Sequence, residues 1–115
     1  MTNQEAFETM VRHARGQGGR SLNGKGKCRY RGKNGTKCFV GALIPDADYT
    51  VMLEGKTAIS LLRSLPCLRG LTPAMLDHMQ GIHDRVEREA WESAFSAVAH
   101  NFQLTLPPLE EASHA

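Results

Sequence analysis

Long apolar runs are missing from this sequence of 115 residues. No stretch approaches the ~18–20 residues that a membrane span needs, so no membrane association is expected. Gln4, Glu5 and Glu8 precede any apolar stretch, which argues against a secretory signal peptide and makes a cytoplasmic location the expectation. Aromatic residues are scarce at 6%, so the core must rest on aliphatic side chains and methionine. The three cysteines, Cys28, Cys38 and Cys67, are too few and odd in number for a disulfide framework. Reduced thiols are expected, some of them buried. No Gly-x-x-x-x-Gly-Lys-Ser/Thr loop is present, which excludes a P-loop nucleotide enzyme. Acidic residues are absent between Thr9 and Pro45.

That last absence frames what is there. The acid-free stretch holds Arg12, Arg15, Arg20, Lys25, Lys27, Arg29, Arg31, Lys33 and Lys37, nine of the fourteen Lys and Arg residues, although the net charge is only +2. Such asymmetry hints at a polyanionic partner. The plainer alternative is a solvated face balanced by the acidic C-terminal half of the same molecule. With 41% hydrophobic and 23% charged residues, the chain has the composition of one ordinary globular domain. A single domain is expected over 1–104. Residues 105–115, with Pro107, Pro108, Glu110 and Glu111, read as an extended and partly disordered tail.

The pattern predicts a mainly α domain (α+β): four to five short helices packed on one two-stranded antiparallel ribbon. Thr2 and Glu5 stand at capping-box spacing before Phe7, Met10, Val11 and Ala14, which gives a helix over Asn3–Arg15 ending in glycines. Ser21–Lys27 reads as a mobile polar connection. Cys28–Arg31 and Thr36–Val40 flank Asn34-Gly35 and read as a hairpin with the three-residue loop Lys33-Asn34-Gly35. This register pairs Tyr30 with Cys38 and Cys28 with Val40 on an apolar face, leaving Arg29, Arg31 and Lys37 on the other beside Phe39. It also places Cys28 and Cys38 about 7–8 Å apart, beyond disulfide reach. Further helices are expected from Pro45 to near Leu53, from Thr57 to Pro66, from Thr72-Pro73 through Ile82, and across Trp91, Phe95, Val98 and Phe102.

Reactive chemistry is thinly represented. His78 and His83 are five residues apart and diverge around a helix, and no Cys-x-x-Cys exists. The cysteines could meet a histidine only through the fold. His83-Asp84 resembles the pair of metal-dependent phosphohydrolases but lacks their further ligands, so an internal hydrogen bond is the expected role. No histidine or acid neighbours Cys28 or Cys38 in sequence to activate a nucleophile. Gly32-Lys33-Asn34-Gly35 matches a backbone-clamping Gly-x-x-Gly loop, but between strands rather than helices. The candidate contact residues are therefore Arg20, Lys25, Lys27, Arg29, Arg31, Lys33, Lys37 and Phe39. The cations would neutralise phosphates or acidic side chains, and Phe39 would be an exposed aromatic able to stack. No catalytic residue, metal ligand or cofactor is expected.

Cys28-Arg-Tyr-Arg, Gly35-Thr-Lys-Cys-Phe-Val-Gly41 and Ile44-Pro-Asp46, followed by Tyr49, Glu54-Gly55, His83-Asp84 and Trp91, resemble a family of small phage and prophage proteins. That family is largely of unassigned function. Ala42 stands where its members often carry another cysteine. The resemblance implies a phage setting in a bacterial host cytoplasm and no particular activity. It makes a non-enzymatic protein that binds and inhibits a host defence or nucleic-acid-processing complex, anti-CRISPR-like or otherwise anti-defence, the leading expectation. The alternatives are a direct, low-specificity nucleic-acid-binding protein and a small zinc protein or metal-dependent hydrolase. A monomer or a homodimer is compatible with the sequence.

Overall fold

In the computed structural model, which describes residues 1–109, Thr2 opens helix α1 (Asn3–Gln17) with a complete capping box. The Thr2 hydroxyl accepts the Glu5 N–H at 3.1 Å and the Glu5 carboxylate accepts the Thr2 N–H at 2.7 Å. Gly18, in the left-handed region at φ 74°, ends the helix. Helix α2 (Ala58–Ser64) is capped by Thr57, whose hydroxyl accepts the Ser60 N–H. Helix α3 (Pro73–Arg85) starts after Thr72, and α4 (Trp91–Asn101) follows a 3-10 turn. These are the four α-helices among the described residues, and the linkers between them are largely 3-10 turns. None of the helices is long and apolar enough to cross a membrane.

The apolar faces converge on one core. Phe7, Met10 and Val11 from α1 meet Met75, Leu76 and Met79 from α3 and Phe95 from α4, all fully buried. Burial of each such side chain contributes about 1.5–3 kcal/mol. Thr72 caps differently from the expectation. Its hydroxyl accepts from Asn3 Nδ2 at 2.8 Å while its N–H donates to Asn3 Oδ1 at 2.9 Å, fastening the start of α3 to α1. The segment after Leu104, read as an extended tail, lies along α1 as far as Pro108. Gln4 exchanges two hydrogen bonds with the Thr105 backbone, and Arg15 donates to the Pro108 carbonyl. Residues 110–115 of that expected tail lie outside the described residues.

The hairpin does not form: no β-strand exists among the described residues. The chain does reverse at Lys33–Gly35, with Asn34 and Gly35 both left-handed. Arg31 stands opposite Lys37, as the expected register requires, but as an isolated bridge. Two diverted hydrogen bonds explain why no ladder follows. The Tyr30 N–H, which would pair with the Cys38 carbonyl, goes to Glu54 Oε1 at 2.9 Å. The Cys38 carbonyl accepts the Ala42 N–H instead and leads into the 3-10 turn Gly41–Leu43. Cys28 pairs with Leu22 rather than Val40. The expected helix from Pro45 is likewise replaced by two 3-10 turns, Asp46–Asp48 and Val51–Leu53.

Close backbone crossings hold this irregular region together. A Cβ on Gly41 would stand 2.2 Å from the Tyr30 carbonyl oxygen, so only glycine fits. One on Gly32 would meet the Leu22 backbone and the Ser21 hydroxyl at 2.6–2.7 Å.

Candidate functional site

Two ordered loops, not a ribbon, carry the basic segment. In the first, Asn23 Oδ1 accepts the N–H groups of Lys25 (2.8 Å) and Lys27 (3.0 Å), and the Asn23 N–H donates to the Lys27 carbonyl at 2.7 Å. This Asx-type scaffold gives the connection expected to be mobile a defined shape. In the second, the Thr36 hydroxyl donates to the Lys33 carbonyl. The Lys33 N–H donates to the Leu22 carbonyl at 3.0 Å, so the second loop rests on the root of the first.

The candidate contact residues separate by type. Lys25, Lys27 and Lys33 are exposed, and no described residue holds their ammonium groups. The arginines are spent on the fold. Arg20 donates through Nε to the His83 carbonyl and through a terminal nitrogen to the Val86 carbonyl, both at 2.7 Å, closing the end of α3. Arg31 donates to the Ile44 carbonyl, pairs with Asp46 at 2.7 Å and lies over the Tyr49 ring at 4.6 Å. Arg29 stands 3.6 Å from Glu54, and Lys37 stands 3.8 Å from Asp46. Phe39 corrects the expectation most sharply, being 1% exposed. It makes edge contacts with His83, Trp91 and Phe95 at centroid distances of 4.9–5.6 Å. Strand alternation would have turned Phe39 outward. Because the chain winds into a 3-10 turn at this point, Cys38, Phe39, Val40 and Gly41 are all buried in succession.

Behind the loops the fold brings Cys28, His83 and Asp84 together, with one ligand-type atom of each within 4.8 Å of the others. Cys28 and Asp84 line a cleft of about 300 Å³ that also involves Glu54, Lys56 and Arg85, and His83 lies buried behind it. His83 is fully buried, and both ring nitrogens are engaged. Nε2 accepts the Ser21 N–H at 2.9 Å. Nδ1 must then carry the proton, which it donates to Asp84 Oδ1 at 2.8 Å. Gln80 donates to the same oxygen at 3.0 Å, and the Cys28 thiol adds a further hydrogen bond to Asp84. Burial pushes the Asp84 carboxyl up, but the hydrogen bonds from His83, Cys28 and Gln80 outweigh it and leave the group below its ordinary value. The Cys28 thiol moves the other way, raised by burial and by the Asp84 charge.

The hydrogen bonds of this network bear on what it can do as a nucleophile and as a metal ligand set. A nucleophilic cysteine needs a depressed pKa and a free base, whereas here the thiol is raised and the neighbouring Asp84 carboxylate already accepts from His83 and Gln80. A metal on Nδ1 would require the ring proton on Nε2, where it would face the Ser21 N–H, donor against donor. Sequence reasoning anticipated the internal hydrogen bond of His83 but missed its partners Ser21 and Cys28, which lie 62 and 55 residues away. It also missed Glu54, whose carboxylate collects the Tyr30 N–H, the Arg31 N–H and the Tyr49 hydroxyl. An isolated acid next to glycine carries no local signal of that role. No family model, curated protein or solved structure matches the chain.

Proposed function

We propose that this protein works by binding rather than by catalysis, as a phage-type accessory protein that inhibits a host defence or nucleic-acid-processing complex. Its contact surface is the pair of basic loops. The observation that carries the reading is the division of labour among the cations. Arg20, Arg29 and Arg31 are tied into the fold, while Lys25, Lys27 and Lys33 stand exposed on loops that internal hydrogen bonds shape. A region free of acids over Thr9–Pro45 is thereby turned into a local positive surface on a protein whose net charge is only +2. The closed Cys28–His83–Asp84 network supports the absence of catalysis. The phage setting rests on the sequence resemblance.

The test is expression of the protein in a defence-proficient bacterial host challenged with phage. The wild-type chain is expected to raise plating efficiency, and the charge reversal Lys25→Glu, Lys27→Glu, Lys33→Glu is expected to abolish the effect without unfolding the protein. A folded triple variant that protects phage as well as the wild type would remove these loops from the mechanism.

A further inference from the structure

Resting on that reading of the loops, we infer that the group they meet is the phosphate backbone of duplex nucleic acid, gripped by Lys25, Lys27 and Lys33 without selection of sequence. Three observations favour phosphate over an acidic protein surface. The exposed cations of these two loops are lysines, compact charges that suit phosphates from any direction. The arginines, whose planar forks match carboxylates and phosphates alike, are engaged inside the molecule at Arg20, Arg29 and Arg31 and leave the contact to the lysines. Protein interfaces are anchored by aromatic residues and arginine and are depleted in lysine, whereas Tyr30 and Phe39, the aromatics of this region, are buried. Finally, Gly24, Gly26 and Gly35 have open space where a side chain would stand, so a bulky backbone can approach the lysines closely.

The same burial decides between duplex and single strand. Single-strand binding draws on aromatic platforms beneath the bases, and the one aromatic residue of the two loops, Tyr30, is buried. Charge density is then the only attraction, and it is greatest on a duplex, which carries one negative charge per ~1.7 Å.

Fluorescence anisotropy with a duplex oligonucleotide, the corresponding single strand and polyglutamate, each across a salt series, tests the inference on the full chain. Three phosphate contacts predict a log–log salt slope of about −2.7 on duplex, equivalent to about 40-fold weaker binding between 50 and 200 mM salt. Each single Lys→Gln change at 25, 27 or 33 is expected to flatten that slope by about 1. Absence of duplex binding at low salt, stronger binding to the single strand, equal binding to polyglutamate, or indifference to the lysine changes would each overturn it. Failure here is separable from failure of the loop reading. If the triple variant loses phage protection while the wild type ignores duplex, the loops remain the contact and phosphate is the wrong ligand.

Discussion

Arg20 and His83 form a clasp between the basic segment and α3: the Arg20 guanidinium donates to the His83 carbonyl while the Ser21 N–H donates to the His83 ring. Adjacent residues of the loop thus hold the backbone and the side chain of a single helical residue. The clasp also satisfies carbonyls that the end of α3 would leave unpaired, because Arg20 reaches Val86 as well.

The fork is what matters in that clasp, since a lysine could supply the charge and N–H donors but only from a single nitrogen, not from Nε and a terminal nitrogen held apart in one plane. Arg20→Lys is therefore expected to lower the unfolding free energy by about 2 kcal/mol, the usual range for hydrogen bonds from a charged group. Duplex affinity, measured on the folded fraction, is expected to stay within twofold. Urea denaturation and the anisotropy assay separate the two. Unchanged stability with weakened binding would make Arg20 a contact residue after all.

Glu54 and Asp84 make the fold sensitive to acid. Burial raises each carboxyl, but hydrogen bonds outweigh it: from Tyr49, Tyr30 and Arg31 at Glu54, and from His83, Cys28 and Gln80 at Asp84. Both folded-state values therefore lie below the ordinary 4.5 and 3.8. Groups depressed on folding stabilise the native state above their unfolded pKa, and that contribution disappears as pH falls through the folded value. The contribution of these two carboxylates to the urea midpoint is expected to be level above about pH 5 and to drop below about pH 4.5. Glu54→Gln should lower the midpoint at neutral pH and shrink the acid-dependent drop. A variant that loses stability at acid pH as steeply as the wild type would show that Glu54 contributes no such linkage.

The helices were legible in the sequence because their determinants are local. Thr2 and Glu5 cap α1 as their spacing requires, and the 3.6-residue periodicity of Met75, Leu76, Met79 and Ile82 marks the buried face of α3. Residues 18–56 were not legible because their backbone partners are distant. The turn at Asn34-Gly35 and the Arg31–Lys37 register follow from local chemistry, yet Glu54 takes the Tyr30 N–H from across the chain and no ribbon forms. Phe39 follows from the same event. With no strand to alternate along, it turns inward onto His83 and Trp91. At the candidate site the basic segment could be read from composition, but which cations stay free could not. Arg20 and Lys25 look alike in sequence, and only the carbonyls at the end of α3 distinguish them.

The three thiols report separately on the closed network. Cys38 is fully buried and its pKa is pushed up to about 12, chiefly by burial. It is expected to resist iodoacetamide until the protein unfolds. Cys28 is exposed and Cys67 partly so, and burial raises both thiols, Cys28 further through the Asp84 charge. Alkylation proceeds through the thiolate, so these two should label in the native state but more slowly than a free thiol. Asp84→Asn keeps the shape of the hydrogen-bonding group while deleting the charge. It should accelerate Cys28 severalfold and leave Cys67 at its wild-type rate, which makes Cys67 the internal control for general loosening. Mass spectrometry of quenched time points gives all three rates from one sample. If Cys28 labels faster than a free thiol in the wild type, its thiolate is stabilised rather than suppressed, and the case against a reactive cysteine in the cleft collapses. If Asp84→Asn speeds Cys28 and Cys67 equally, Asp84 acts on global stability and not on the thiol beside it.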